Sequence, residues 1–238
     1  MDKINKARDL MHHLHDGVKD EFGLMISDQI QGTVEKIQQF YDGKDKEDVI
    51  VATYLHKALN GKYVKTSVCT EEGKSPIRFE YLKKYFGYSA ARMVFDLSLM
   101  PDDRLVSKGL SNVTRLDLAK SHWVNTNSEE DVCKVSLQEI QFKAIGLWAK
   151  NLKPSEQAIL LADKLSSFEA LTESVRVHKS SSWFRRYYEK QMIVLDAIKE
   201  ASPIIHTECI REAEEGLKHI KIIERRNARS VEKRNIAI

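Results

Sequence analysis

The chain has 238 residues, of which 31% are charged, and a net charge of +3. This small imbalance does not favour a nucleic-acid or membrane surface as the partner. The ten Gly and four Pro residues argue against a turn-rich β protein and for long helices. No apolar run approaches the roughly 20 residues of a membrane-spanning helix, and the polar N-terminus predicts no signal peptide.

The cysteines indicate a reducing compartment. Cys69, Cys133 and Cys209 lie far apart and show no CxxC spacing. Such spacing is typical of free thiols and not of a disulfide or zinc framework. The sequence therefore predicts a cytoplasmic protein.

Apolar residues recur every three or four positions in the first half of the chain, which predicts successive helices. Ser27 or Asp28 is expected to cap the second helix, and Gly87 to end the fourth in a left-handed conformation. The central helix is expected to bury one face. The predicted helices cover 3–22, 28–41, a central stretch around 51–60, 77–86 and 88–99.

The second half continues in the same manner after two irregular stretches. Residues 60–76 form the first predicted loop, and residues 101–134 a long surface excursion or flap. The further predicted helices cover 135–151, a segment that opens at Pro154, 181–200, and a last segment after Pro203. The sequence predicts an all-α protein of about ten helices.

The C-terminal part is the one strongly basic run. Residues 1–205 are predicted to form the helical domain, and residues 206–238 a basic helix or tail. The run from Lys218 to Arg234 contains no aromatic residue, which weakens a single-stranded nucleic-acid interpretation. A solvated terminal helix, or a helix that docks on a protein partner, is favoured over a nucleic-acid surface.

Two polar residues interrupt apolar helical stretches. His56 lies at the edge of the central apolar stripe, and Asp163 lies between Leu160, Leu161 and Leu165. A buried carboxylate is costly unless it is paired or bound to metal. Either residue alone is typical of an ordinary core with a satisfied polar group. The motifs of P-loops, dinucleotide folds, zincins and hydrolase elbows are all missing.

Four blocks, taken in order and spacing, resemble a known family. Over residues 4–205 the chain resembles the small HD-type hydrolases related to the hydrolase domain of RelA/SpoT alarmone enzymes, which act on ppGpp. This resemblance implies an HD-domain helical bundle around one divalent cation, typically Mn²⁺. Such an ion activates a water against a phosphate ester or pyrophosphate. The blocks are Ala7–Gly23, Tyr54–Lys57, Phe79–Val94 and Leu160–Leu165.

The resemblance implies four metal ligands: an early His, a His-Asp pair and a late Asp. His56 and Asp163 match the His of the pair and the late Asp. Gln29, or nearby Gln31, occupies the position of the early His, and Lys57 occupies the position of the Asp of the pair. Lys57 would repel a metal ion. It is expected to pair with Asp163 instead and to fill the place of the ion.

Other positions of the implied site also depart from the family. Asn60 and Gly61 stand where the family has a Glu-Asp pair for water activation, and neither can act as a general base. The acidic Asp20-Glu21 stands where the family holds the nucleotide base with basic residues. Glu71 and Glu72 lie where a flap over the site is expected.

The residues and the resemblance together predict a catalytically degraded pseudo-hydrolase without a cofactor. It would act by binding an unknown protein partner or a small nucleotide, as a regulator, decoy or scaffold. Two alternatives stay open. One is a helical protein-interaction module. The other is a divergent Mn²⁺-dependent nucleotide pyrophosphohydrolase or phosphohydrolase, with ligands drawn from His12, His15, His56, Glu71, Glu72 and Asp163.

Overall fold

The computed structural model describes residues 2–20, 22–68, 75–99, 137–174 and 181–236. These ranges form nine α-helices and two short 3₁₀ turns, with no strand among them. The all-α fold class is therefore confirmed. The predicted excursion at 101–134 and the flap residues Glu71 and Glu72 lie outside these ranges. The helices are α1 Lys3–His15, α2 Ile26–Phe40, α3 Lys46–Leu55, α4 Phe79–Phe86, α5 Tyr88–Ser98, α6 Leu137–Asn151, α7 Pro154–Ser174, α8 Ser181–Ala197 and α9 Pro203–Ile236.

Helix α1 ends earlier than the sequence predicts. The predicted span 3–22 is wrong because the chain turns at Gly17 (φ +80°) and again at Gly23 (φ +81°). Between these turns Lys19 and Met25 form an isolated antiparallel bridge. Helix α2 then begins at Ile26, so the predicted caps at 27 and 28 lie inside the helix.

Helix α3 is buried on all sides. Every residue from Val49 to Leu55 is buried, because α1, α2, α5 and α7 all pack against this helix. The prediction of a single buried face is therefore wrong. The helix also stops at Leu55, so that His56 takes the C-cap position with helical backbone angles.

The remaining boundaries follow the glycines and prolines. Gly87, with φ +92°, ends α4 and separates it from α5. Pro154 is the first residue of α7, and Pro203 is the first residue of α9, which are positions that proline favours. The domain boundary predicted between residues 205 and 206 falls inside α9.

The core lies around α3 and α7. Helix α7 packs between α2 and α9, while α8 packs against α6 and α9. Helices α2, α3 and α7 therefore meet at one place. Within the described ranges, no helix has the length and hydropathy that a membrane crossing needs. The helices form a bundle, and the meeting point of α2, α3 and α7 contains a group of polar residues.

Candidate functional site

Four of the predicted site residues come together where α2, α3 and α7 meet. We call Gln29 on α2, His56 and Lys57 just after α3, and Asp163 on α7 the polar centre. The side chains of His56, Lys57 and Asp163 are only 9%, 12% and 14% exposed. The residues before Asp163 on α7 are apolar and buried, so the carboxylate is set into a largely apolar helix.

Helices α2 and α7 approach each other closely at this point. A Cβ added at Gly32 would lie 2.5 Å from Ser166 Oγ, so the absence of a side chain at Gly32 permits the contact. The Ser166 hydroxyl also donates a hydrogen bond to the Gln29 carbonyl oxygen at 3.2 Å. This close packing holds Gln29 within reach of the other residues of the polar centre.

The Lys57 ammonium lies between α2 and α7. Lys57 Nζ is 2.9 Å from Asp163 Oδ1 and donates to Gln29 Oε1 at 3.3 Å. The expected ion pair between Lys57 and Asp163 is thus present. Since the ammonium contacts both residues, it occupies the space between two of the positions that the family resemblance marks as metal ligands.

His56 is oriented by the end of α3. Its Nδ1 donates to the Thr53 carbonyl oxygen at 2.7 Å, and its Nε2 lies 3.3 Å from Asp163 Oδ1. A ring anchored through Nδ1 to a backbone carbonyl presents Nε2 inward, an arrangement that metal-ligating histidines share. His56 and Asp163 are therefore placed as two ligands would be, and Lys57 lies beside them.

Asp163 is held in its ionised form. Burial raises the pKa of this carboxyl, but the Lys57 ammonium and the hydrogen bond and charge of His56 outweigh burial and hold the pKa well below its usual range. The polar centre therefore keeps an anion on Asp163 and a cation on Lys57.

Asp20, which the resemblance placed in the region of the nucleotide base, makes a contact with the polar centre that the sequence did not predict. Its Oδ2 accepts a hydrogen bond from Gln29 Nε2 at 2.5 Å. Its Oδ1 accepts the backbone N–H groups of Phe22 at 2.8 Å and Leu24 at 2.9 Å. Asp20 thus engages the Gln29 amide nitrogen, so the amide oxygen faces Lys57. An Asp followed by Gly23 in a turn is a signal for such backbone contacts.

His12 and His15 do not form the metal pair that their spacing permits. His12 is exposed and its Nδ1 lies 2.9 Å from Asp16 Oδ1. His15 is fully buried, and its Nδ1 donates to the Tyr63 carbonyl oxygen at 2.5 Å. Burial, with smaller contributions from the charges of His56 and Lys57, lowers the pKa of His15 to about 4. His15 is therefore a neutral core residue at physiological pH.

The side chains of Asn60 and Gln31 make contacts outside the polar centre. Asn60 is exposed, and its Oδ1 accepts the backbone N–H of Lys62 at 3.0 Å to cap the 3₁₀ turn that starts at Gly61. Gln31 donates to Glu35 on the exposed side of α2. Gln29, and not Gln31, is the glutamine that reaches the polar centre.

The donor set does not fit a divalent ion. Throughout the described ranges, no three His, Cys, Asp or Glu residues lie in a metal-binding arrangement. The polar centre combines one imidazole and one carboxylate with a neutral amide and an ammonium. An amide is a weak ligand and an ammonium repels a cation.

The fold matches that of a known protein. The structure is similar to that of a metazoan ortholog of SpoT that hydrolyses ppGpp and plays a role in starvation responses. The TM-score is 0.58, and the match covers 91% of this chain and 97% of that chain at 15% identity. The chain has the fold of an HD-type ppGpp hydrolase. No family model and no curated protein sequence matches the chain, and an identity this low establishes the fold alone.

Proposed function

We propose that this protein is an HD-fold pseudo-hydrolase, which acts by binding and not by hydrolysis. The observation that carries the proposal is the Lys57 ammonium, 2.9 Å from Asp163 and 3.3 Å from Gln29. A positive charge is thus fixed where the family resemblance implies a divalent cation. The ion pair would fill the place of the metal ion but could not activate a water molecule as the metal does.

Electrostatics supports this assignment. Two unit charges 4 Å apart repel by about 4 kcal/mol at the effective dielectric constant near a protein surface. A divalent ion beside Lys57 would meet about twice that repulsion, and only His56 and Asp163 remain as strong ligands. A general base is also lacking at Asn60, whose side chain caps a turn.

The ligand of such a protein would be a small nucleotide or a protein partner. The similarity in fold to a ppGpp hydrolase favours the first by analogy of fold. A role as regulator, decoy or scaffold is compatible with either ligand.

The experiment is a measurement of Mn²⁺ content and of pyrophosphate release from ppGpp on the purified full chain. We expect no stoichiometric Mn²⁺ and no pyrophosphate release, with or without added Mn²⁺. Calorimetric titration with ppGpp then determines whether the nucleotide binds without turnover. Bound Mn²⁺ together with pyrophosphate release, lost in both His56→Ala and Asp163→Ala, would overturn the proposal and establish a divergent phosphohydrolase.

A further inference from the structure

The outer side of α4 carries an exposed aromatic and basic surface. Tyr81 and Tyr85 are 40% and 46% exposed, while Leu82 and Phe86 on the inner side of the same helix are buried. Arg78 occupies the N-cap position just before the first turn of α4 and is exposed. We call Arg78, Tyr81, Lys84 and Tyr85 the α4 outer face.

The two tyrosine rings contact each other, and Lys84 lies over one of them. The Tyr81 and Tyr85 ring centroids are 4.6 Å apart at an interplanar angle of 43°. Lys84 Nζ lies 5.2 Å from the centroid of the Tyr85 ring, a cation–π distance. These contacts cover part of the ring faces and so reduce the area open to a stacked nucleic-acid base.

The charges of the α4 outer face are positive. Arg78 and Lys84 make no ion pair with any carboxylate in the part of the chain that the structure describes. The neighbouring Glu80 is engaged by Lys83 at 3.6 Å. This surface therefore combines two cations with two exposed tyrosines, which complements a surface that carries carboxylates.

We propose that the α4 outer face binds an acidic segment of a protein partner. Carboxylates of the segment would pair with Arg78 and Lys84 and accept hydrogen bonds from the tyrosine hydroxyls. An apolar side chain would pack against the ring edges of Tyr81 and Tyr85, since tyrosine and arginine are common anchors of protein interfaces. This face contains no residue of the polar centre, so the inference does not rest on the proposed function.

The test is a selection of short random peptides that bind the full-length protein, followed by fluorescence anisotropy on the selected peptides. We expect the selected peptides to be enriched in Asp and Glu and to lose affinity as salt increases. The Tyr81→Ala/Tyr85→Ala variant should weaken binding by about tenfold or more, and Lys84→Glu should weaken it as well.

A matched control is the variant Tyr88→Ala. Tyr88 is the most exposed tyrosine among the described residues, at 61%, and its ring packs against Phe79 outside the α4 outer face. We expect this variant to bind the peptides as the unmodified protein does. Three outcomes would overturn the proposal: selected peptides without acidic enrichment, binding that is insensitive to Tyr81, Tyr85 and Lys84, or a single-stranded oligonucleotide that binds this face more tightly than the peptides.

Discussion

At the scale of single residues, the polar centre depends on the Lys57 side chain. Lys57 pairs with the buried Asp163 carboxylate at 2.9 Å, closer than His56 Nε2 at 3.3 Å. Replacing a buried pair by apolar groups can be neutral, but removing one partner leaves an uncompensated charge. Removing one partner of the ion pair is therefore expected to destabilise the fold more than replacing both partners.

The variant Lys57→Met should expose this dependence. We expect a loss of about 3–5 kcal/mol in the free energy of unfolding, measured by urea denaturation, because Asp163 then stays buried without its cation. Lys62→Met, at an exposed position of the following turn, serves as control and should change stability by less than about 0.5 kcal/mol. A loss below about 1 kcal/mol for Lys57→Met would contradict the pairing.

The ion pair also has a definite pH dependence. The pKa of Asp163 is lower in the folded chain than its ordinary value. Its stabilising contribution is therefore present above the ordinary pKa of an aspartate and is lost as the pH falls through the lower, folded value.

Glu156 should show the opposite pH dependence. Burial, and then the charge of Asp96, raise the pKa of this carboxyl, although its hydrogen bond from the Lys153 backbone N–H at 2.8 Å acts in the other direction. A raised pKa means that the contribution of Glu156 to stability is present below its ordinary pKa and declines as the pH rises through the folded value.

The variant Glu156→Gln tests this behaviour, since Gln keeps an oxygen for the Lys153 contact and cannot ionise. We expect the stability of the variant to exceed or equal that of the unmodified protein at neutral pH and to vary less between acidic and neutral pH. The measurement is the free energy of unfolding at a series of pH values. A variant that is less stable at neutral pH, by a deficit that shrinks as the pH falls, would show that Glu156 is ionised and stabilising there.

The sequence pointed to only part of this site. Gln29, His56, Lys57 and Asp163 could be singled out because the resemblance supplied an order of blocks, and the structure brings these four together. The contact of Asp20 with Gln29 could not be predicted, because it depends on the turns at Gly17 and Gly23. Local periodicity does not show which side chain such a turn places in contact with a neighbouring helix.

At the scale of helices, glycines determine where neighbouring elements can approach. Gly216 on α9 lies against the ring of the buried Tyr188 on α8, which a Cβ would contact too closely. Gly146 on α6 differs, since a Cβ there would meet Ile193 and Ala197 at 3.6–3.8 Å, an ordinary contact. A side chain is therefore excluded by close packing at Gly216, whereas the packing at Gly146 leaves room for one.

The substitutions Gly216→Ala and Gly146→Ala form a matched pair. We expect Gly216→Ala to lower stability by about 1–3 kcal/mol, because the buried ring has little room to move. Gly146→Ala should leave stability unchanged or raise it by about 0.5–1 kcal/mol through helix propensity. Thermal unfolding of both variants provides the measurement, and equal effects at the two positions would refute this explanation.

Helix identity was easier to predict than helix extent. The helices around Pro154 and Pro203 begin where proline favours a first turn. The prediction that α3 buries one face is wrong. This helix is surrounded by α1, α2, α5 and α7, so its residues from Val49 to Leu55 are all buried and show no amphipathic pattern. Tertiary packing, which a local pattern does not record, decided that outcome.

At the scale of the whole molecule, the fold gathers three distant parts of the chain. Gln29, Lys57 and Asp163 meet because α7 packs on α2 while α3 lies against both. This arrangement is that of an HD-type ppGpp hydrolase, as the match with the metazoan protein shows at the level of fold. The scaffold is thus one that serves hydrolysis elsewhere, with a lysine placed at its centre.

The most direct measurement of the central claim is a Mn²⁺ titration of the unmodified protein and of Lys57→Asp, followed by the EPR signal of free Mn²⁺. We expect no specific binding by the unmodified protein. Lys57→Asp should gain affinity by at least about tenfold, because a carboxylate replaces the repelling ammonium, and adding Asp163→Asn should abolish the gain. Equal, stoichiometric Mn²⁺ binding by the unmodified protein and Lys57→Asp would contradict the claim that Lys57 stands in the place of the ion.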